Sequence, residues 1–115
     1  NIFGAFIDDK WDINSDSKYN GSYNAFVFKF VSTFLKKMKL KIYSSSALND
    51  FYLVKDGNSI TIGEAGSPAI YIDEGMLNGT SNKSDTFGND ILTSNKDGAF
   101  EITNIEVWYP INQPS

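Results

Sequence analysis

Cysteine, histidine and arginine are all missing from this chain of 115 residues. Without cysteine there is no disulfide, no thiolate zinc site and no thiol nucleophile. Without histidine the commonest general base is gone, and a serine hydroxyl has no obvious group to activate it. All ten basic residues are lysine, so the planar fork that reads guanine edges and clasps phosphate in pairs is absent too. Nor is there an apolar run long enough to span a bilayer, or a signal peptide: Ile2–Ile7 is too short for either.

What remains reads as one packed domain. Hydrophobic residues make up 41% of the chain and aromatics 15%, more than a disordered segment carries. Asn1–Ile7 is apolar on both faces and reads as a buried or near-buried strand. Ala25–Phe30 alternates Phe26, Phe28 and Phe30 against Val27 and Lys29. Short strands follow at Leu40–Tyr43, Phe51–Val54, Ser59–Gly63 and Ala69–Ile72. Ser44-Ser45-Ser46, Asp56-Gly57-Asn58 and Gly63–Pro68 separate them with turn chemistry. This rhythm predicts an antiparallel β-sandwich with minor helical elements and not a βαβ fold. Between β candidates, a loop whose lysine stems cover the core edge is expected; Phe30, Phe34 and Met38 lie four apart, the spacing of a short amphipathic helical turn, which is the alternative.

The formal charge of −4 hides an asymmetry. Lys29, Lys36, Lys37, Lys39 and Lys41 form a strip without a single acid, while the rest of the chain holds five lysines against fourteen acids. Overall acidity opposes wrapping of nucleic acid. The strip itself, with Phe30, Phe34 and Tyr43 interleaved, has the aromatic-and-cation make-up of a nucleic-acid groove, and Lys36, Lys37, Lys39 and Lys41 are its candidate contacts.

Other local patterns carry less. Asp12-Ile13-Asn14-Ser15-Asp16 supplies oxygens at the EF-hand spacing, but Ser17 stands where glycine is needed and Tyr23 where the bidentate glutamate belongs, so a solvated loop is expected. Gly63-Glu64-Ala65-Gly66 lacks the Gly-Lys-Ser/Thr ending of a phosphate loop and reads as a turn. Asp73, Glu74 and Glu106 beside Ser81 and Ser84 could be cast as a carboxylate hydrolase site, but the sequence does not give the separation such chemistry needs. Sequons at Asn20, Asn78 and Asn82 are explained by the abundance of asparagine, and an intracellular protein is expected.

One long stretch organises the C-terminal half. Gly79-Thr80-Ser81 and Ser84-Asp85-Thr86-Phe87-Gly88-Asn89 have loop composition. Phe100–Trp108 then reads as a closing strand, with a bulge near Thr103-Asn104 reconciling Phe100 and Ile102 with Ile105 and Val107. In the loop, glycines are expected to make turns, Ser81, Ser84 and Thr86 to bond loop backbone, and Phe87 to plug the core. Trp108 is expected half-inside the core, its N–H on a loop acceptor, so that Trp108→Ala would cost about 3–5 kcal/mol.

The pattern G-x-S-x-x-S-x-T-F-G-N followed by F-x-I-x-x-I-E-V-W resembles the C-terminal half of the TLDc domain, the module of the oxidation-resistance proteins. Phe3-Gly4-Ala5, Gly21, Phe26–Phe30, Lys41-Ile42-Tyr43, Asn49–Tyr52, Ser59–Gly63 and Ala69–Asp73 agree in the same order. The resemblance implies a single TLDc-like domain over 1–115 that lacks the N-terminal part of the family's domain, with an insertion between Phe30 and Leu40. It implies no accepted reaction and no cofactor or metal. It implies instead a non-enzymatic, monomeric interaction domain in oxidative-stress resistance, cytoplasmic with the nucleus as a second location, whose partner is the peripheral sector of the vacuolar proton-pumping ATPase (V-ATPase). On this reading Gly79, Ser81, Ser84, Thr86, Phe87, Gly88 and Asn89, with Asp73 and Glu106, form the motif loop and partner contact, and Phe3, Gly4, Phe28, Gly63, Gly66 and Trp108 are structural. The alternative is a stress-responsive transcriptional regulator touching DNA through Lys29–Lys41.

Overall fold

The computed structural model describes residues 2–7, 18–20, 24–32, 35–45, 53–56, 59–64 and 66–106. Nine strands run β1 (Phe3–Phe6), β2 (Lys18–Asn20), β3 (Phe26–Ser32), β4 (Met38–Ser44), β5 (Leu53–Asp56), β6 (Ser59–Ile62), β7 (Ile70–Ile72), β8 (Asn78–Thr80) and β9 (Ala99–Glu101). They form a three-stranded sheet, β1-β3-β4, and a six-stranded one, β2-β5-β6-β7-β8-β9, antiparallel at every pairing. The expected antiparallel sandwich is the observed architecture.

Alternation decides what lies between the sheets. In β3, Val27 is fully buried, and Phe3, Ala5 and Tyr43, its same-face neighbours on β1 and β4, pack against the core. From the other sheet come Ile62 and Ile70, with Ile60, Ile72 and Phe100 around them; Ala69, Phe87 and Leu92 come from the connecting loops. Phe3 meets Phe100 edge to face at 5.0 Å, a direct contact between the sheets.

The opposite face of the small sheet carries Phe6, Phe26, Phe28 and Phe30 in a row, with ring centroids 5.3, 6.4 and 6.2 Å apart. Phe28 lies across Gly4, its cross-strand partner, where an added Cβ would stand 2.9 Å from the ring. Β1 is therefore half-buried and not enclosed: Phe6 is 38% exposed.

Four other expectations change. No helix occurs among the described residues, and Phe30 and Met38 both lie in paired strands: Phe30 pairs with Leu40 and Ser32 with Met38. The alternation Met38-Lys39-Leu40-Lys41-Ile42 extends the ladder, and Lys36 takes the turn's positive φ of 60°. Gly79-Thr80 belongs to strand β8 and not to a loop. Phe100's ring and the Tyr71 carbonyl occupy the space a Cβ at Gly79 would need, so glycine is demanded by close approach and not by a turn. The closing strand ends at Glu101; Ile102 adds one N–H bond to the Leu77 carbonyl at 2.8 Å, and 102–106 then leave the sheet without a bulge. Lys18–Asn20 pairs with β5 where the sequence reads as a polar turn region. Trp108, the 12–16 oxygen cluster and Phe34 lie outside the described residues.

Candidate functional site: the motif loop and its lysine clamp

Residues 81–98 form a loop that closes on itself through buried polar side chains. Ser81 is fully buried, and its Oγ accepts the Leu92 N–H at 2.9 Å, tying the loop's start to its far limb. Ser84 donates its hydroxyl to Asn89 Oδ1 at 2.6 Å, and its own N–H reaches the same oxygen at 3.3 Å. The Ser84 Oγ in turn accepts the Phe87 N–H, and the Ser84 carbonyl accepts the Gly88 N–H at 2.9 Å, closing one turn. Gly88 makes this possible with φ of 58°. Asn89 completes the network: its Nδ2 donates to the Asn82 and Asp90 carbonyls at 2.9 and 2.7 Å, so its amide uses both oxygen lone pairs and both N–H groups.

This turn drives Phe87 into the core, where it is 4% exposed, as the loop reading expects. Thr86 departs from that reading. Its side chain is fully buried, but Oγ1 has no hydrogen-bond partner and does not bond loop backbone. Gly98, which the sequence reading passed over, packs its backbone against the Ser81 carbonyl where no Cβ fits, at φ of 79°. The Asp97-Gly98 dipeptide was the available signal.

The other motif residues are placed apart from this network or on its surface. Asp73 caps the turn before β8: its Oδ1 accepts the N–H groups of Leu77 and Asn78 at 3.3 and 3.4 Å. Glu106 is exposed beyond β9, on an irregular segment. Gly63 takes φ of 102° beside Ala69, whereas a Cβ at Gly66 would meet open space, so packing imposes no demand there. Between Ser81 and Asp90 the loop turns Lys83, Asp85, Gly88 and Asp90 outward.

Asp90 is where the small sheet reaches the loop. Lys41 and Lys29 stand directly opposite each other across β3 and β4, an arrangement that by itself repels. Each finds a separate acceptor on the loop: Lys29 Nζ donates to the Ile91 carbonyl at 3.1 Å, and Lys41 Nζ pairs with Asp90 at 3.5 Å. Tyr43 Oη also donates to Asp90 at 3.2 Å, and the Lys41 ammonium lies 5.2 Å from the centre of the Tyr43 ring. The Tyr43 hydrogen bond, then the Lys41 hydrogen bond and charge, hold the Asp90 carboxyl below its ordinary range. Tyr43 first, and Asp90 second, hold the Lys41 ammonium above its own. Asp90 was not singled out in the sequence; its partners lie 49 and 47 residues away, and no local spacing reports that.

The lysine strip is consequently divided. Lys29, Lys39 and Lys41 share the face that Tyr43 occupies, Phe30 points to the other face, and Lys36 and Lys37 sit in the hairpin turn. An interleaved aromatic-and-cation surface of Phe30 with Tyr43 does not form. An open cleft of about 200 Å³ lies between β3 and the loop, lined by Lys29, Phe30, Val31, Ser32, Leu92, Thr93 and Ser94. Asp73, Glu74, Glu106, Ser81 and Ser84 do not line it, and no cluster of acids suited to a metal ion occurs among the described residues. No helix among the described residues is long and apolar enough to cross a membrane.

Residues 1–110 match the TLDc domain. The chain is 29% identical over 108 residues to an oxidation resistance protein 1 of Eremothecium gossypii, covering 93% of this chain and 44% of that protein. It is 28% identical over 128 residues to the oxidation resistance protein 1 of Debaryomyces hansenii, covering 92% and 40%. A nuclear receptor coactivator 7 of Gallus gallus is 30% identical over 108 residues, 93% of this chain and 11% of that protein. The chain thus spans less than half the length of these relatives. The match runs through both sheets and through the Ser81–Asn89 network, and the chain belongs to the TLDc domain family.

Proposed function

We propose that this chain is a non-enzymatic protein-interaction domain of oxidative-stress resistance, and that it acts by binding and regulating the peripheral, cytosolic sector of the vacuolar proton-pumping ATPase. The observation that carries the proposal is the TLDc match over 1–110, with relatives named for oxidation resistance. The non-enzymatic part draws support from the motif hydroxyls. Ser81 Oγ accepts a backbone N–H, and Ser84 donates to an amide oxygen, so both are spent on holding the loop and neither faces a base. A loop held this rigidly suits recognition, since little freedom is lost when a partner docks. Its outward groups between Ser81 and Asp90, which are Lys83, Asp85, Gly88 and Asp90, are the first candidates for contact. A cytoplasmic location follows from the proposed partner.

Capture from cell lysate at moderate salt, with the tagged chain as bait, tests this. Recovery of the pump's cytosolic subunits is expected; clean recovery of other proteins without them would sink the pump as partner. DNA binding stands second, because Lys29 and Lys41 are engaged within the chain. A labelled duplex titrated at low salt should show no binding, since phosphate contacts are strongest there.

A further inference from the structure

Strand β4 lies at the edge of the small sheet, and its side chains are exposed on both faces along nearly its whole length. Met38, Leu40 and Ile42 are 61%, 46% and 52% exposed on one face; Lys39 and Lys41 stand on the other. Phe30 donates its N–H to Ile2, on the β1 side, and Ser45 donates its N–H to Ala25, on the β3 side. Antiparallel ladders alternate these directions residue by residue. Lys39, Lys41 and Tyr43 therefore bond inward to β3, while Met38, Leu40, Ile42 and Ser44 turn N–H and C=O groups to an edge with no partner strand among the described residues.

We infer that this edge accepts an extended acidic segment of another protein, with apolar residues alternating with Asp or Glu, added as a further strand beside β4. Main-chain bonds would come from Met38, Leu40 and Ile42, and the apolar residues of the incoming strand would cover those same side chains. Its carboxylates would fall on the lysine face, opposite Lys39, with Lys36 beside the turn. Charge selects this occupant. A second copy of β4 would set lysine opposite lysine when antiparallel and lysine opposite an apolar side chain when parallel, and both are unfavourable. Asp90 at the Tyr43 end repels a carboxylate there, so the acids of the segment should lie toward Lys36 and Lys39. Nothing here depends on which protein supplies the segment, so a failed lysate capture and a failed edge are separate results.

The test uses a labelled synthetic peptide of alternating Glu and Val, followed by fluorescence anisotropy at rising salt. Binding at low salt that weakens as salt is added is expected, together with slowed amide exchange at Met38, Leu40 and Ile42. Lys39→Glu and Leu40→Pro should each weaken binding, the proline by removing an outward N–H and no bond to β3. Should Leu40→Pro fail to fold by circular dichroism, the same bond is removed from the ligand side by N-methylating alternate residues of the peptide. Affinity is then expected to fall roughly tenfold or more, as the loss of one or two ladder bonds implies. Equal binding by the N-methylated peptide, equal binding by a Lys/Val peptide, or no binding at low salt would each overturn the inference. So would concentration-dependent dimerisation through β4, seen by sedimentation.

Discussion

The motif loop and the β3–β4 hairpin invert the usual distribution of polarity, in opposite senses. In the loop, Ser81, Ser84, Thr86 and Asn89 are all buried, while in the hairpin Leu35, Met38, Leu40 and Ile42 are all exposed. The two meet at the Lys41–Tyr43–Asp90 contact. The polar loop can afford its burial because three of its four side chains have partners, so desolvation is offset. Leu35, Met38, Leu40 and Ile42 are each about half exposed or more, so changing them costs little. The difference teaches that residue type says little about where this domain's stability lies; the number of satisfied partners says more.

Mutations should separate the two regions, beginning with the largest effect. Phe87→Ala empties a core position held by the Ser84 turn and should destabilise by about 3–5 kcal/mol in urea unfolding. Asn89→Ala strands the Ser84 hydroxyl and two carbonyls, and a loss of roughly 2–4 kcal/mol is expected in the same measurement. If Asn89→Ala proves no worse than a surface change, the loop is not held as described. Thr86→Val replaces an unpartnered buried hydroxyl with a methyl of similar shape; it should leave stability unchanged or raise it by about 1 kcal/mol, read as a higher melting temperature. On the hairpin, Leu40→Ser should change stability by no more than about 0.5 kcal/mol. A larger drop there would mean that the exposed face is part of the core after all.

The smallest effect is the contact between the regions. Asp90 has a lowered pKa, so its contribution is present above the unfolded carboxylate value and is lost as pH falls through the folded one. Lys41 has a raised pKa, so its contribution is complete below the ordinary lysine value and disappears as pH rises through the folded one. Between those limits the clamp is intact. Asp90→Asn should lower the melting temperature slightly at neutral pH and remove the difference from the parent in strong acid. Both groups are well exposed, so added salt should shrink the effect as well.

Much of this was legible beforehand. Phe26–Phe30 announced its strand through strict alternation, and Phe87 its burial through the turn-forming residues around it. That Phe30 and Met38 both lie in paired strands was not legible, because Phe30, Phe34 and Met38 also satisfy a helical spacing while Met38–Ile42 satisfies a strand; pairing with β3 selected the strand. Thr86 carries the same side-chain chemistry as its serine neighbours, yet only packing left its hydroxyl without a partner.

By itself, then, the amino-acid order determined the sandwich class, the strand at β3, the family and the exclusion of thiol and imidazole chemistry. These follow from composition and from periodicities of a few residues, which any reading of the chain can count. Tertiary structure alone decided that Gly79 lies under the Phe100 ring, that Lys41 reaches Asp90, and that β4 is left at an edge. Each of those depends on residues far apart in the chain brought together by the packing of two sheets, and local spacing carries no record of such distances.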